Sequence, residues 1–182
     1  AKVLILGCGT QGLAMSKALH AQQNEVYLLY GDKNNYADAS RYIKKKFFTS
    51  LSPMSVEFCK KLIDIIQKEG IETLIPMGDV YAEMMALRKS ELKAYVKFQM
   101  PDYGVFQRAY DKNQLMKVCQ ENHYPHPLTI TNIKSIDDVA ESELSFPLLI
   151  KPNITCGARG MTLVSNYQEL LEKFPVIQAE YG

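Results

Sequence analysis

The sequence contains no tryptophan, no long apolar run and almost no net charge. A net charge of +1 offers no bulk attraction to nucleic acid or to an anionic membrane, so neither is an expected partner. No apolar run approaches the roughly 20 residues that a membrane-spanning helix needs. The N-terminal apolar run at residues 3–6 is too short for the core of a signal peptide. We therefore predict a cytoplasmic location.

The sequence also lacks the cysteine and histidine spacings of a metal site or a disulfide framework. Its four cysteines, Cys8, Cys59, Cys119 and Cys156, are widely separated, and no Cys-x-x-Cys pair occurs. The three histidines are scattered as well. We expect free thiols and no metal ion bound by these residue types.

The first thirty residues have the pattern of a βαβ unit. The apolar run at residues 2–6 predicts a strand buried on both faces, residues 13–21 have helical spacing, and residues 26–30 predict a second strand. Between the first strand and the helix lies Gly7-Cys8-Gly9-Thr10-Gln11-Gly12, a G-x-G-x-x-G turn. Glycines in such a turn permit a tight bend and bring a phosphate close to the helix N-terminus.

This turn has two interpretations. Asp32 lies about 20 residues after Gly12, where an acid that binds the ribose of NAD would stand. The turn could thus belong to a dinucleotide-binding domain of an oxidoreductase or a regulatory module. Residues 31–35 also have the composition of an ordinary turn, however. In the second interpretation, Gly7, Gly9 and Gly12 shape the turn or contact a substrate.

Residues 44–100 continue the alternation of strands and helices. The three lysines at 44–46 are expected on a solvated face, and residues 47–49 form a short predicted strand. An amphipathic helix over 55–68, ended by Gly70, precedes a strand over 72–76. The order β-α-β-β-α-β-α predicts a small, mostly parallel, doubly wound sheet over residues 1–100.

Gly78 and Asp79 open the last helix of this region, which is expected to turn Met84, Met85 and Leu87 inward. Asp79 would stand at the carboxyl end of a strand, where such sheets bind ligands. Its carboxylate either caps the helix or contacts a substrate.

The pattern changes near residue 101, and we predict a second, α+β domain over residues 101–182. Asp111 is a candidate N-cap for a helix over 114–122, and Ser135 for a helix over 135–143. The first of these helices is expected to turn Leu115, Val118 and Cys119 inward. Further strands are predicted over 128–130, 146–150, 161–164 and 176–181, with a helix over 167–173.

A glycine-bearing loop joins the strands at 146–150 and 161–164. Lys151 stands at its start, and Gly157 and Gly160 allow the positive φ and close backbone approach that suit a cover over a polyphosphate. The lysine adds a compact, mobile positive charge. The same pattern is typical of an ordinary β-hairpin, so the loop alone does not decide between the two.

Several motifs, taken in order, resemble one known superfamily. The chain opens with Lys-Val-Leu-Ile-Leu-Gly-Cys-Gly, and Leu-Ile-Pro-Met-Gly-Asp follows at 74–79. Asp111-Lys112 begins a helix that ends in a loop with two histidines and two prolines at 123–127. Phe-Pro-Leu-Leu-Ile-Lys-Pro at 146–152 precedes the glycine loop. Over almost the whole chain these motifs resemble the N-terminal part of an ATP-grasp enzyme of the carbamoyl-phosphate-synthase-like and biotin-carboxylase-like kind.

The resemblance implies a Rossmann-like pre-ATP-grasp parallel sheet followed by a small α+β ATP-grasp subdomain. In that family two basic residues bind the ATP phosphates, a glycine loop folds over the phosphates, and a later strand begins the hinge that meets the adenine base. The matching positions in this sequence are Lys112, Lys151, Gly157, Arg159 and Gly160, with Gln178 and Glu180 on the last predicted strand.

The resemblance also implies an activity. The full enzyme would use ATP and Mg²⁺ to convert a small-molecule carboxylate into an acyl phosphate, which an amine or similar nucleophile then attacks. The family's magnesium ligands would follow residue 182, so we expect an N-terminal fragment that is inactive alone. Gly7, Gly9, Gly12 and Asp79 are the candidate substrate contacts. An NAD(P)-binding domain is the alternative.

Overall fold

A computed structural model describes residues 1–31 and 39–181 of the chain. The chain divides into two compact units, Ala1–Phe106 and Gln107–Gly182. Asp32, the acid on which the dinucleotide interpretation depends, lies outside the described residues. In the part of the chain that is described, no helix is both long and apolar enough to cross a membrane.

A four-stranded parallel sheet forms the centre of the first unit. Its strands are β1 (Lys2–Leu6), β2 (Glu25–Tyr30), β3 (Ile43–Phe48) and β4 (Thr73–Pro76), in the spatial order β3-β2-β1-β4. Because helices cover both faces of a parallel sheet, its inner strands are continuous apolar runs rather than alternating ones. The predicted α/β sheet is therefore confirmed.

In the described part of this unit there are four helices: α1 (Thr10–Ala21), α2 (Val56–Glu69), α3 (Asp79–Leu87) and the short α4 (Lys89–Leu92). Alternate residues of β1 enter two different apolar clusters. Leu4 and Leu6 pack with Phe58 of α2, whereas Ile5 packs in the cluster that Met15 of α1 joins. The sheet is thus wound on both sides, as the sequence predicts.

Local signals fix the ends of α2. Ser55 is its N-cap and accepts a hydrogen bond from the Phe58 amide at 3.1 Å. Gly70 ends the helix with a φ of 66°, a left-handed conformation that glycine adopts at low cost. The predicted helix over 55–68 is confirmed with a shift of one residue.

One prediction about α3 is wrong. Met84 and Met85 are buried as expected, but Leu87 is 42% exposed. Leu87 is the last residue of α3, and the chain turns at Arg88 into α4, so the buried residues of the helix end at Ala86. The lysines of β3 behave as predicted, since Lys44 and Lys45 are exposed and pair with Glu25 and Glu69.

The second unit holds a two-stranded antiparallel sheet of β5 (Leu148–Ile150) and β6 (Thr162–Val164). Its helices are α6 (Lys112–Glu121), α7 (Asp137–Ala140) and α8 (Tyr167–Tyr181), and α5 (Tyr103–Tyr110) crosses the division between the units. The small core of this unit contains four buried side chains: Val139, Val164, Leu170 and Phe174.

Three predictions for this unit are wrong in detail. Residues 128–130 do not form a strand. In this segment the Thr129 hydroxyl donates a hydrogen bond to the Pro127 carbonyl at 2.8 Å. The N-cap of α7 is Ile136 rather than Ser135, and the helix spans four residues only. Leu115 of α6 is exposed, whereas Val118 and Cys119 are half-buried.

The largest correction concerns the last segment. Residues 176–181 alternate like a strand, but they continue α8 as helix, with Pro175 inside it. A helix satisfies its backbone groups within one segment, whereas a strand needs a partner to pair with. In the described part of the chain this segment pairs with no strand.

Candidate functional site

The first turn of α6 is fixed by its own N-cap. The Asp111 carboxylate accepts a hydrogen bond from the Gln114 amide at 3.0 Å, the geometry of an N-capping aspartate. The predicted cap is therefore confirmed, although the helix begins at Lys112 rather than Gln114. Lys112 is thus the first helical residue.

The Lys112 side chain reaches the loop between β5 and β6. Its ammonium donates to the Asn153 carbonyl at 2.9 Å and to the Thr155 carbonyl at 3.0 Å. An ammonium has three donors, and the third has no partner among the residues described. Lys151 lies two positions before Asn153. The ammonium of Lys112 and the backbone of Lys151 are therefore both at the start of the loop between β5 and β6.

Asn153 joins this loop to α6 with both ends of its side chain. Its Oδ1 accepts from the Asn113 amide at 3.0 Å, and its Nδ2 donates to the Asp111 carboxylate at 3.1 Å. Burial alone would raise the pKa of Asp111, but hydrogen bonds from Gln114, Asn153 and Asn113 outweigh it and hold that pKa below its usual value. Asp111 is therefore a carboxylate at neutral pH.

Lys151 follows β5 directly and its side chain is exposed. Within residues 1–31 and 39–181 its ammonium forms no hydrogen bond or ion pair. The next residue, Pro152, is buried and holds the start of the loop against the unit. Lys151 therefore places an exposed charge next to a buried proline.

The loop at 156–160 adopts left-handed backbone conformations. The φ angles are 64° at Gly157, 60° at Ala158 and 70° at Gly160. The amides of Arg159 and Met161 bond within the loop, to the carbonyls of Cys156 and Ala158. In the described chain, the amides of the three positive-φ residues have no acceptor. Unpaired loop amides of this kind can bind an anion.

Gly160 is required by close packing. A β-carbon at this position would lie 2.5 Å from Cγ of Pro152 and 2.7 Å from Cε2 of Tyr181. Gly157 differs, because a β-carbon there would meet nothing within 4 Å. Gly160 therefore packs the C-terminal end of the loop against Pro152 and Tyr181, whereas Gly157 lies in its open part.

Arg159 binds the loop that carries it. Its Nε donates to the Cys156 carbonyl at 3.2 Å, and its Nη2 donates to the Cys156 sulfur at 3.0 Å. The hydrogen bond with Cys156 is the largest cause of a raised pKa at Arg159, so the guanidinium keeps its charge. The guanidinium is exposed and adds a third positive charge near the loop.

Gln178 and Glu180 lie on α8, not on the predicted strand. Gln178 donates to the Lys134 carbonyl at 3.4 Å. Glu180 forms a hydrogen bond with Tyr181 that, ahead of burial, raises the pKa of that tyrosine. The structure therefore does not arrange these two residues as a hinge strand, and their adenine contact stays a prediction.

The glycine turn of the first unit is shaped by packing. Gly7 has a φ of 79°, and the ring of Tyr81 occupies the place that a β-carbon would take. A β-carbon on Gly12 would lie 2.8 Å from the Cys8 sulfur. Gly9 has only the Gln11 side chain near it, at 3.8 Å. Two of the three glycines thus have a structural explanation without a bound phosphate.

This turn lies where the strand order reverses. The chain runs from β1 outward to β2 and β3, then returns to β4 on the other side of β1. Parallel sheets bind ligands at such switch points, beyond the carboxyl ends of the strands. Gly7 follows β1 and Asp79 follows β4, with Leu6 and Pro76 paired in register.

Asp79 does not cap α3. Gly78 is the N-cap, Asp79 is the first helical residue, and no side chain caps this helix. The carboxylate is exposed. Of the two interpretations, the capping one is wrong, and the substrate contact stays a prediction.

The described residues contain no preformed metal cluster. Mg²⁺ is bound by carboxylates together with water and substrate phosphates. Over residues 1–31 and 39–181, no group of three or more histidine, cysteine, aspartate or glutamate side chains could hold a metal ion.

Comparisons with known proteins agree with the resemblance found in the sequence. The chain is 26% identical over 187 residues to the arginine-specific large chain of carbamoyl phosphate synthase from Arabidopsis thaliana, across 92% of this chain and 15% of that protein. It is 35% identical over 83 residues to a D-aspartate ligase from Enterococcus faecium, across 43% of this chain and 20% of that protein. No protein-family model matches.

The fold comparison covers nearly all of the chain. The biotin carboxylase domain of 2-oxoglutarate carboxylase from Hydrogenobacter thermophilus, solved with MgADP, ADP and bicarbonate, matches with a TM-score of 0.73. That match spans 98% of this chain and 40% of the solved chain at 19% identity. The chain therefore shares the fold of ATP-grasp enzymes over 40% of that solved chain, and the resemblance to this superfamily is confirmed. The chain spans a fifth or less of the two sequence relatives.

Sequence reasoning missed Asn153 and Tyr181. Asn153 lies only two residues after Lys151, but its partners Asp111 and Asn113 are about 40 positions away. Tyr181 was expected on a strand, where contact with Gly160 was not foreseen. The one local signal for Asn153 is its position in the loop directly after Lys151-Pro152.

Proposed function

We propose that the chain is the N-terminal part of an ATP-dependent ligase of the ATP-grasp superfamily. The observation that carries the proposal is the position of Lys112, whose ammonium rests on the carbonyls of the loop that begins at Lys151. Two lysines, Arg159 and the unpaired amides of a positive-φ loop form a cationic, donor-rich surface. This chemistry suits a polyphosphate.

In this proposal each group has one role at the nucleotide. Lys112 and Lys151 neutralise phosphate oxygens, and the loop with Gly157, Arg159 and Gly160 covers them. Phosphoryl transfer requires positioning and charge neutralisation more than covalent work by the protein, so such groups suffice on this side of the site. The other candidate nucleotide contacts are Gln178 and Glu180.

The reaction proposed for the whole protein has two steps. A carboxylate oxygen of a small molecule attacks the γ-phosphorus of ATP, and ADP leaves, which gives an acyl phosphate. An amine or similar nucleophile then attacks the acyl carbon and displaces phosphate. The D-aspartate ligase among the relatives supports a carboxylate and an amine as substrates. ATP and Mg²⁺ are proposed on the strength of the relative solved with MgADP.

We further propose a division of labour between residues 1–100 and 101–182. The first part would contact a substrate through Gly7, Gly9, Gly12 and Asp79, at the switch point of its sheet. The second would contact the nucleotide. Activity of the chain alone is not expected, because it spans 40% or less of the length of the relatives that it matches. The cytoplasmic location stays a prediction.

An NMR titration of the ¹⁵N-labelled chain tests the nucleotide site. ATP is expected to shift the amides of Lys112, Lys151 and residues 156–160, while NAD shifts none of them. Lys112→Met and Lys151→Met should each weaken ATP binding by about tenfold or more, because each removes a charge-assisted contact.

The matched control is Lys117→Met, which removes an exposed lysine of α6 that pairs with Glu121 one turn away. It is expected to leave the ATP titration unchanged. If NAD instead shifts residues 7–12 while ATP shifts nothing, the dinucleotide-binding interpretation replaces this one.

A further inference from the structure

The loop between β5 and β6 is held to α6 by a set of hydrogen bonds that cross a long stretch of sequence. Asn153 supplies three of its atoms: Oδ1 for the Asn113 amide, Nδ2 for the Asp111 carboxylate, and its carbonyl for the Lys112 ammonium. All three partners are consecutive residues at the start of α6. One residue of the loop therefore fixes the complete first turn of the helix.

Lys112 is fixed from both sides by this arrangement. Its Cα is held because the residues before and after it are bonded to the Asn153 side chain. Its ammonium is held because the carbonyls of Asn153 and Thr155 accept from it at 2.9 and 3.0 Å. A lysine side chain has several freely rotating bonds, and this geometry restricts them before any ligand arrives.

We propose that Asn153 is a positioning residue of the nucleotide site. Its side chain sets the register between the loop that follows Lys151 and the start of α6, and so sets where the Lys112 ammonium stands relative to the loop. This inference rests on the proposed function, because it concerns the same site. It assigns to Asn153 no contact with the nucleotide.

In the Asn153–Asp111 pair the amide donates and the carboxylate accepts, and reversing these roles permits a sharp test. Exchanging the two residues in Asp111→Asn/Asn153→Asp keeps the hydrogen bond between them and the bonds from the Gln114 and Asn113 backbone amides, and only the 3.5 Å bond from the Gln114 side chain to Asp111 loses its acceptor. Asn at 111 still caps α6, since asparagine and aspartate are equally good N-caps. Its amide then donates to the new carboxylate at 153, which still accepts from the Asn113 amide. The single variant Asn153→Asp, in contrast, sets two carboxylates against each other.

The first readout needs no nucleotide. Hydrogen bonds to two carbonyls slow the exchange of the Lys112 ammonium protons, which ¹⁵N NMR of lysine side chains can follow. We expect Asn153→Ala and Asn153→Asp to speed this exchange by about fivefold or more, as loss of a hydrogen bond of ordinary strength predicts. The double variant Asp111→Asn/Asn153→Asp should restore the rate of proton exchange to within about twofold of that of the original chain.

The second readout is the affinity for ATP and for inorganic tripolyphosphate, measured by titration of the same variants. Asn153→Ala and Asn153→Asp are expected to weaken both by about fivefold to twentyfold, and the double variant to recover both. The matched control is Asn122→Ala at the other end of α6, which removes a bond to the Val118 carbonyl and should change neither readout.

Outcomes separate the inference from the proposed function. If Lys112→Met loses ATP affinity while Asn153→Ala keeps both ATP affinity and ammonium exchange, positioning by Asn153 is refuted and the nucleotide site stands. If Lys112→Met and Lys151→Met leave ATP binding unchanged, the nucleotide site itself fails, whatever the ammonium exchange shows. If circular dichroism shows that Asn153→Ala unfolds, the comparison of Asn153→Asp with the double variant decides.

Discussion

The ring of Tyr81 lies where a β-carbon on Gly7 would stand. Tyr81 belongs to α3 and Gly7 directly follows β1, so the glycine turn and the third helix share one packed contact. The contact explains why the first position of the G-x-G-x-x-G turn is glycine in a chain whose comparisons favour ATP-grasp enzymes over dinucleotide-binding domains. Packing alone can therefore require glycine at the first position of such a turn.

Gly7→Ala is expected to destabilise the first unit by about 2–4 kcal/mol, because it combines a left-handed φ of 79° with overpacking against Tyr81. Urea denaturation measures the change. The control is Gly78→Ala, at a φ of 172° with nothing within 4 Å of the added carbon, which should cost under about 1 kcal/mol. Equal losses for the two variants would show that the Tyr81 contact is unimportant.

Two glycines of the loop between β5 and β6 are predicted to respond differently. Gly157→Ala and Gly160→Ala both place alanine at a positive φ, but only the second meets Pro152 and Tyr181. We expect Gly160→Ala to cost about 1–3 kcal/mol more in the free energy of unfolding. Adding Tyr181→Ala should recover part of the difference, and its failure to do so would mean that the ring does not lie over the loop in solution.

Pro175 offers a direct test of the helix that replaced the predicted strand. A proline inside a helix removes one hydrogen bond and crowds the preceding turn, at about 3 kcal/mol. Pro175→Ala is therefore expected to raise the helical signal at 222 nm and the melting temperature. Val176→Ala, at an exposed neighbouring position, is the control and should have a much smaller effect. An unchanged signal would favour a strand over 176–181.

Cys59 makes the stability of the first unit depend on pH. Burial, with a smaller contribution from Glu91, raises the pKa of this thiol to about 11, above the 9.0 of an exposed thiol. The folded state thus holds a proton that the unfolded state releases between pH 9 and about 11, so the free energy of unfolding falls as pH rises through that window. Cys59→Val should flatten this part of the stability profile, measured by denaturation at pH 8 to 11. Identical slopes would contradict the assignment.

The sheet of the first unit was predictable because its signals are local. Buried parallel strands are continuous apolar runs, and Ser55 and Gly70 mark the ends of α2 within their own turns. The N-cap role of Asp111 was visible for the same reason. The role of Asn153 was not, because it depends on a register between segments about 40 residues apart, which no local pattern encodes.

The strand predicted over 176–181 failed for a related reason. The apolar residues Ile177, Ala179 and Tyr181 alternate with the polar residues Gln178 and Glu180, which favours a strand by period. A strand also requires a neighbour, and the sequence pattern does not say whether one is present. The positions of Gln178 and Glu180 were therefore the least secure part of the predicted site.

The lysines of β3 affect whether two copies of the chain can associate through the edges of their sheets. Among the described residues β3 is an outer strand of the sheet, and no described strand pairs with the row of backbone donors and acceptors on its outer edge. Three successive lysines at positions 44–46 stand on it, and Glu25 and Glu69 hold two of them in place. Because a second molecule that added its own β3 here would set lysine against lysine, the sheet is guarded against edge-to-edge aggregation.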